Sequence, residues 1–187
     1  RTWTATDDCN NSVSTARVIT VQDTTDPVLS GVPGNITVEC DMVPAPATPT
    51  ATDNCMGIVT IALDADTMFT ACPNNFTLTR TWTATDACGN DVAASQTIVV
   101  EDTQAPTFTG PADITVSCEQ GIDPAVTGSP TNILDNCDDN PVVASSDNIT
   151  VGSCPNNSTV TRTWLATDAC GNVSIAFVQT ITVVDHP

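Results

Sequence analysis

The sequence lacks lysine entirely, and its 187 residues include a single histidine, His186, next to the last position. Only 4% of the residues are aromatic. No stretch of about 18 apolar residues is present, which excludes a membrane-spanning helix from the expectations. One histidine leaves no Ser–His or Cys–His set for nucleophilic catalysis, and no two acidic residues stand out as a glycosidase pair. We therefore expect a protein that is not an enzyme.

The chain is strongly acidic, with 22 acidic residues against four arginines and a formal net charge of −18. Nucleic acid and anionic membrane surfaces are therefore not expected partners, because their phosphates would be repelled. Nineteen of the acidic residues are Asp and three are Glu. Short carboxylates are typical of turns and of sites for hard cations such as Ca²⁺. The composition thus favours a turn-rich chain with candidate calcium ligands.

The sequence repeats itself about every 80 residues. RTWTATDDCNN at Arg1 returns as RTWTATDACGN at Arg80 and as RTWLATDACGN at Arg162. Shorter strings keep the same spacing: ITVEC and ITVSC, TDNC and LDNC, CPNNFT and CPNNST. A period of this size suits one small sandwich domain per repeat. The prediction is the C-terminal part of one repeat over 1–26 and complete repeats over 27–105 and 106–187, which favours a segment of a longer array.

Each repeat has the pattern of short β-strands. Leu78, Arg80, Trp82 and Ala84 alternate with threonines, as in a half-buried strand, and Cys88-Gly89-Asn90 predicts the turn into a returning strand. That strand is predicted over 91–100, others are predicted over 35–39, 48–52 and 59–63, and no helix is predicted. The predicted fold class is all-β: tandem immunoglobulin-like β-sandwich repeats of about 80 residues with two disulfides each, and seven or so strands per repeat.

Two local features carry their own expectations. An arginine precedes each of Trp82 and Trp164 by two positions, and we expect it to stack on the tryptophan or pair with a carboxylate. Asn10 stands where Gly89 stands one repeat later. Since Asn tolerates a positive φ better than most residues, the turn is expected to survive there.

The nine cysteines are four per complete repeat plus Cys9. Even numbers at fixed positions indicate disulfides and an oxidising compartment, whereas zinc is disfavoured because no C-x-x-C pair is present. Alternating strand directions would place the cysteines in like-positioned pairs at the two ends of each sandwich. The predicted pairs are Cys40–Cys72, Cys55–Cys88, Cys118–Cys154 and Cys137–Cys170. Sequential pairing, Cys40–Cys55 with Cys72–Cys88, stays open.

The strings TDNC, RTWTATDACGN, TIVVEDTQAP and DITVSC resemble those of hyalin-repeat-like (HYR-like) domains, over essentially the whole chain. They are most similar to the arrays in cell-surface adhesins of gliding Bacteroidota, the SprB type. This resemblance implies secreted, calcium-compatible sandwich modules strung into filaments for adhesion or motility. The expected location is therefore extracellular or at the cell surface.

Acidic residues cluster where each repeat meets the next. The last strand of one repeat ends in an Asp-containing linker, and the strand directions bring this linker to two Asx-containing loops of the following repeat. Six to eight oxygen ligands suit Ca²⁺, so calcium is the expected cofactor, with plain turn-capping as the alternative. The candidate ligands are Asp23, Asp26, Asp53, Asn54, Asp86 and Asn90 at the first junction, and Asp102, Asp135, Asn136, Asp168 and Asn172 at the second.

Several functions suit such a chain. A structural shaft has adjacent repeats of the same chain as partners, with lateral self-association into a fibre as an extension. A binding module for glycan or surface polysaccharide, and ice or mineral binding by a threonine face, are the alternatives; the third suits a twisted sheet poorly. Candidate glycosylation sites are Thr24, Thr67, Asn35, Asn75 and Asn157.

Overall fold

The structure, a computed structural model, describes residues 1–152 and 157–185, so Cys154 and His186 lie outside the described residues. Strands dominate these ranges. In chain order they are β1 (Thr2–Thr6), β2 (Ser12–Ala16), β3 (Val28–Ser30), β4 (Ile36–Glu39), β5 (Thr50–Thr52), β6 (Thr60–Phe69), β7 (Phe76–Thr85), β8 (Asp91–Glu101), β9 (Thr107–Thr109), β10 (Ile114–Ser117), β11 (Thr131–Leu134), β12 (Val142–Val151), β13 (Ser158–Thr167) and β14 (Phe177–Val184).

The two complete repeats share one topology. The first has a four-stranded sheet in the order β4-β8-β7-β6 and a two-stranded sheet β3-β5. The second has β10-β14-β13-β12 and β11-β9. In each large sheet the first strand runs parallel to the last, so that Glu39 pairs with Glu101 and Ser117 with Val184. The predicted all-β sandwich class is confirmed, with six strands in the described residues of each repeat.

Alternation places one face of each tryptophan strand in the core. In β7 the buried positions are Arg80, Trp82 and Ala84, the face that the sequence pattern predicts. Strand β13 repeats this pattern. Valine and isoleucine of β10, β13 and β14 complete the second core: Val116, Val160, Ile181 and Val183. The aromatic content is low, so these small aliphatic side chains and one tryptophan per repeat supply most of the buried apolar surface.

The arginine beside each tryptophan is buried, as the sequence predicts. Arg162 forms an ion pair with Asp147 (Nε–Oδ1 2.7 Å) and lies 5.7 Å from the ring centroid of Trp164. Arg80 donates to the carbonyl oxygen of Pro44 over 2.8 Å, and its Nη1 is buried without a hydrogen-bond partner. The expected stacking and pairing are therefore confirmed for Arg162, whereas the hydrogen bond of Arg80 goes to a backbone carbonyl and not to a carboxylate.

The turns after the tryptophan strands use a left-handed residue. Gly89 and Gly171 have φ of 92° and 90°, and Asn10 takes φ of 66° at the corresponding position. The substitution of Asn for Gly therefore keeps the turn, because Asn adopts this region at little cost. In all three turns an Asp backbone N–H donates to the carbonyl oxygen of the Asn four residues later.

A single 3-10 turn (Cys40–Met42) and one short α-helix, α1 (Pro124–Thr127), contradict the prediction that no helix is present. Its N-cap Asp123 accepts a hydrogen bond from the backbone N–H of Ala125 (2.8 Å), and proline occupies the first turn. Both residues favour a helix start. Four residues span about one turn, which is too short for a periodic sequence signal.

The chain divides into two compact units whose boundaries cross the repeats. The first comprises Arg1–Val32, Ala47–Leu63 and Thr81–Ala94, and the second comprises Pro33–Pro46, Asp64–Arg80 and Ser95–Pro187. Each unit thus contains one junction: the linker before residue 28 with its two loops in the first unit, and the linker before residue 107 with its two loops in the second.

Candidate metal centre and cysteine junctions

Two disulfides join the first complete repeat to the second. Cys40, directly after β4, bonds to Cys137, and Cys72, between β6 and β7, bonds to Cys170. The Cα–Cα distances of 5.8 and 5.0 Å lie in the usual range for a disulfide. All four cysteines belong to the second unit. The second junction is therefore cross-linked twice.

These bonds correct the predicted pairing. Cys40–Cys72 and Cys137–Cys170 are wrong as pairs within a repeat, and so is the sequential alternative Cys40–Cys55 with Cys72–Cys88. The strand-direction argument grouped Cys40 with Cys72 at one end of the sandwich. The same strand directions brought this end to the loops of the following repeat, but the cysteines were paired only within a repeat. Bonds 97 and 98 residues apart in sequence are consequently favoured over pairs within a repeat.

Four cysteines of the described residues have free thiols: Cys9, Cys55, Cys88 and Cys118. The predicted Cys55–Cys88 pair is therefore wrong as well. Cys118 is unbonded, and its predicted partner Cys154 lies outside the described residues. The Cys118 thiol has a raised pKa because of burial and the nearby carboxylate of Asp185.

Three carboxylates meet at the second junction. Asp102 follows β8 in the linker, Asp135 follows β11, and Asp168 follows β13. One oxygen from each lies within 4.8 Å of those of the other two, and Asp102 and Asp168 are buried. We call these three residues the aspartate triad. The structure thus brings together the three aspartates that the sequence predicts as ligands at this junction.

Turn chemistry holds two members of the triad in place. The Oδ1 atom of Asp168 accepts hydrogen bonds from the backbone N–H groups of Cys170 (2.9 Å) and Asn172 (2.8 Å). The Oδ1 atom of Asp135 accepts from the backbone N–H groups of Cys137 (2.9 Å) and Asp138 (2.8 Å). Turn-capping and metal binding are therefore compatible: capping occupies Oδ1 in both residues, Asp135 Oδ2 is left without a partner, and Asp168 Oδ2 accepts a single hydrogen bond from Asn172.

The second oxygens of the triad are not all satisfied by protein groups. The Oδ2 atoms of Asp102 and Asp135 are buried and have no hydrogen-bond partner, and the Oδ1 atom of Asn136 is in the same state. Asp102 retains only 4% of its accessible surface. Buried polar atoms are almost always paired with protein, water or an ion. These three oxygens are therefore candidate ligand atoms for a cation.

The electrostatics of the triad also suit a bound cation. Burial raises the pKa of Asp102, and the charges of Asp168 and Asp135 raise it further. Crowded carboxylates in a desolvated site disfavour their ionised forms unless a cation compensates them. The arrangement therefore suits a divalent cation with oxygen ligands.

The other predicted ligands at this junction have mixed roles. Asn136 donates from Nδ2 to Asp41 Oδ1 over 3.4 Å, and its Oδ1 atom is buried without a hydrogen-bond partner. Asn172 uses its Nδ2 atom as a bridge, donating to Asp168 Oδ2 (2.8 Å) and to the backbone oxygen of Asp102 (3.1 Å). Asn172 therefore positions the linker against the loop through its amide hydrogens.

Two residues that the sequence did not predict also contact the linker of the second junction. Glu39 lies in a second cluster with Asp102 and Cys137, and its pKa is lowered by hydrogen bonds from Thr103. Asn75 accepts from the backbone N–H of Asp102 over 2.6 Å. The parallel pairing of β4 with β8 brings Glu39 to the linker, and that pairing has no local sequence signal. Since Cys137 is in a disulfide, only the carboxylates of this cluster are candidate ligands.

The first junction, in the first unit, has a smaller cluster. Asp23, Asp53 and Cys55 offer atoms within 4.8 Å of one another, and Asp53 Oδ2 is buried without a partner. Asp86 borders the same cavity. Asn90 donates to Asp86 Oδ2 (2.7 Å) and to the backbone oxygen of Asp23 (3.3 Å).

Asp26 and Asn54 were also predicted as ligands at the first junction. Both are exposed, and neither belongs to any candidate metal group among the described residues. Asp26 immediately precedes the buried Pro27 at the end of the linker, and Asn54 lies between Asp53 and Cys55 in the loop after β5. The structure therefore brings Asp23, Asp53 and Asp86 around one cavity without these two neighbours.

The candidate glycosylation sites differ in exposure. Thr24 and Thr67 are exposed, as is Asn35. Asn75 and Asn157 are half-buried, and the side-chain oxygen of each accepts a backbone N–H from Asp102 and Asp185, respectively. The exposed sites have room for a glycan, and glycosylation stays a prediction.

No helix among the described residues is long and apolar enough to cross a membrane. No curated protein sequence matches the chain. Among solved structures, the chain is similar to the human mucin-like protocadherin EC1-2 (10% identity, 85% of this chain and 99% of that one, TM-score 0.35). It is also similar to the Ig1-2 module of the Drosophila receptor protein tyrosine phosphatase DLAR (15%, 86% and 100%, TM-score 0.29).

The family assignment rests on the two complete repeats. The HYR-like domain with four cysteines matches residues 28–100 and again residues 106–183. Each match contains the four cysteines of its repeat, including both partners that the disulfides use. The chain therefore belongs to the family of HYR-like domains with four cysteines, of which it contains two in tandem.

Proposed function

We propose that this chain is a structural segment of a secreted cell-surface adhesin or extracellular filament, whose junctions are stiffened by Ca²⁺. The observation that carries the proposal is the aspartate triad with its buried, unpartnered oxygens. The tandem HYR-like repeats support an extracellular adhesion-type role, and disulfides are typical of oxidising compartments.

The chemistry of the triad favours calcium over other cations. All donors are oxygens, which disfavours zinc, and the donors come from three separate chain segments. The Oδ2 atoms of Asp102 and Asp135, an oxygen of Asp168 and the Asn136 oxygen would supply up to four ligands. Backbone carbonyls and water would complete the six to eight that Ca²⁺ takes.

The position of the ion gives it a mechanical role. Asp102 belongs to the linker that leaves the first repeat, whereas Asp135 and Asp168 belong to loops of the second. An ion bound by all three would tie these repeats together and remove the repulsion between their carboxylates. Two disulfides at the same junction restrain it covalently. Together they would turn a flexible linker into a stiff connection.

The finer parts of the proposal rest on the motif resemblance and on exposure. The adhesin is of the type found on gliding Bacteroidota, its partners are adjoining repeats, and its chains associate laterally. Glycans would occupy exposed sites such as Thr24 and Thr67. The intact mass of the native material checks the last point, since a mass equal to that of the bare sequence would remove the glycans from the proposal.

A calcium titration of the full chain tests the proposal. At a free Ca²⁺ concentration one hundred times the Kd, folding gains about 2.7 kcal/mol, or roughly 5–10 °C in Tm for a chain of this size. We expect this gain for the unaltered chain, with one to two ions bound per chain by equilibrium dialysis. Mg²⁺ at the same concentration should have a smaller effect, because it demands a tighter octahedral site.

Two substitutions make the titration specific. Asp102→Asn should abolish most of the calcium-dependent rise in Tm, because it removes a central charged ligand. Asp26→Asn is the matched control: it removes one carboxylate from a linker, at an exposed position, and should leave the rise intact. An unaltered chain whose Tm and bound calcium do not change during the titration would contradict the proposal.

A further inference from the structure

Two free thiols of the first unit stand at the positions that are cross-linked at the second junction. Cys55 ends the string TDNC as Cys137 ends LDNC, and Cys88 ends TDAC as Cys170 does. Cys137 and Cys170 are bonded to the cysteines of the repeat before them, whereas Cys55 and Cys88 are free and exposed. The sequence equivalence raises the question of what Cys55 and Cys88 bind.

The loops that carry these thiols have the same hydrogen bonds as their bonded equivalents. The backbone N–H of Cys55 donates to Asp53 Oδ1 over 2.8 Å, and that of Cys137 donates to Asp135 Oδ1 over 2.9 Å. The turn at Cys88 likewise matches the turn at Cys170, with its N–H donating to an Asp Oδ1 over 2.8 and 2.9 Å. The free cysteines are therefore already held in the backbone conformation that the disulfides require.

The linker contacts are also the same. Asn90 donates to the backbone oxygen of Asp23 over 3.3 Å, as Asn172 donates to that of Asp102 over 3.1 Å. The linker of the first unit thus approaches its two loops as the linker of the second unit does. A repeat that preceded this linker would be directed to the same loops.

The second repeat has a free cysteine at the position from which Cys40 bonds to the following repeat. Cys118 follows β10 as Cys40 follows β4, and both strands run parallel to the last strand of their sheet in the same register. Cys40 is bonded to the following repeat, and Cys118 is free. Free thiols therefore occur at both types of position, the one that bonds forward and the one that bonds backward.

We propose that Cys55 and Cys88 form an acceptor site for a preceding four-cysteine HYR-like repeat in the same chain. Cys55 bonds to the cysteine that stands where Cys40 stands, and Cys88 bonds to the one that stands where Cys72 stands. Cys118 bonds forward in the same manner. In a longer array every junction then has two disulfides, and the repeats form a continuous covalent ladder. This proposal does not depend on calcium.

The chemistry is thiol–disulfide exchange with a disulfide oxidant, a small molecule or a protein dithiol. Two thiols and one oxidant disulfide give one junction disulfide and two reduced oxidant thiols, and the two protons pass to the departing thiolates.

A chain with an added segment tests the proposal. Residues 1–26 carry the hairpin β1–β2, whose sequence corresponds to the end of β7 and the start of β8. A copy of residues 27–79 fused before Arg1 therefore builds a complete preceding repeat. After oxidative folding, non-reducing peptide mapping should find Cys55 bonded to the added copy of Cys40 and Cys88 bonded to the added copy of Cys72.

Thiol labelling of the same chain supplies the controls. Alkylation of Cys55 and Cys88 should fall from complete in the original chain to absent in the extended one. Cys9 should be alkylated in both, since its own partner would lie on a still earlier repeat. An extended chain with Ser at both added partner positions should return Cys55 and Cys88 to full alkylation. A Cys55–Cys88 bond, or full alkylation in the extended chain, would overturn the proposal.

A second measurement on the original chain does not require the added segment to fold. Incubation with oxidised glutathione should give one glutathione adduct on each of Cys55 and Cys88, because both thiols are free and exposed. An internal Cys55–Cys88 disulfide with no adduct at either residue would show that the two pair with each other, and the acceptor site would be wrong.

Discussion

The two junctions of this chain have nearly the same sequence and differ in what surrounds their carboxylates. At the second junction three aspartates converge, Asp102 is 96% buried, and two disulfides close the contact. At the first junction two aspartates and a thiol converge, Asp23 is only half-buried, and the cysteines are free. The local turns are alike at both, with the same Asp-to-backbone hydrogen bonds.

The two junctions show which features depend on local sequence and which depend on contacts between repeats. The turns form at both junctions because Asp and Asn cap their own backbone, which needs no partner. Burial of the linker aspartate and closure of the disulfides need a packed repeat on each side. At the second junction Asn75 and Glu39 of the first repeat surround the linker and supply this packing. The sequence motif alone therefore places the ligands without completing the site.

Breaking the disulfides of the second junction should have the largest effect. Each closes a loop of about 100 residues, for which chain entropy gives about 4–5 kcal/mol. Replacing Cys40, Cys72, Cys137 and Cys170 by Ser should lower the free energy of unfolding by at least about 4 kcal/mol, with the second bond adding less than the first. Urea unfolding followed by tryptophan fluorescence measures this change.

The first junction supplies the control for that experiment. Cys55→Ser combined with Cys88→Ser alters two exposed thiols that have no bond in this chain. The free energy of unfolding should then change by no more than about 0.5 kcal/mol. Equal losses in the two variants would mean that the disulfides do not distinguish the junctions.

The comparison extends to the arginine beside each tryptophan. Arg162 has four hydrogen bonds to Asp147, Thr127 and Ile122, whereas Arg80 has one to Pro44 and a buried Nη1 atom without a partner. Arg162→Met should therefore cost about 3 kcal/mol, because it breaks a buried pair and leaves its acceptors unsatisfied. Arg80→Met should cost about 1 kcal/mol. Thermal unfolding of the two variants checks the order, which a larger loss for Arg80→Met would contradict.

The sequence predicted the strands, the turns and the acidic residues at the junctions because each has a local signal. Alternation marked the buried face of β7, and the Asp-Asn spacing marked the turns. It did not predict the partner of Cys40, since the bond to Cys137 depends on how one repeat packs on the next. Glu39 was missed for the same reason, and α1 was missed because one turn of helix has no period.

Without calcium, replacement of the two linker aspartates should change stability by different amounts. Burial and two like charges raise the Asp102 pKa, so ionised Asp102 destabilises the apo fold at neutral pH. Asp102→Asn should stabilise the chain in EDTA by at least about 1 kcal/mol, the repulsion between two like charges about 4 Å apart in water. Asp23→Asn should change it by less than about 0.5 kcal/mol, because Asp23 is half-buried.

The pH dependence fixes the sign of this effect. A carboxyl with a raised folded pKa binds protons more readily when folded, so the apo chain gains stability as pH falls through that pKa. The advantage of Asp102→Asn in EDTA should therefore shrink as pH falls from 7 toward 4. Urea unfolding at several pH values measures it, and an advantage that grew on acidification would contradict the assignment of the raised pKa to Asp102.

The smallest effect concerns the ion pair between Arg162 and Asp147 in the large sheet of the second repeat. Hydrogen bonds from Arg162 lower the pKa of Asp147, and residue 65, at the corresponding place in the first repeat, is an alanine. A lowered folded pKa stabilises the fold above the unfolded value of about 3.9, and this contribution is lost as pH falls through the folded value. Asp147→Asn should cost about 1 kcal/mol at pH 7, and this cost should shrink as pH falls through the folded pKa of Asp147, since protonation then removes the charge that the variant lacks. Ala65→Ser, a polar change on β6 that removes no ion pair, should show no such pH dependence, and a pH-independent cost for Asp147→Asn would mean that packing of Arg162 matters there more than its charge.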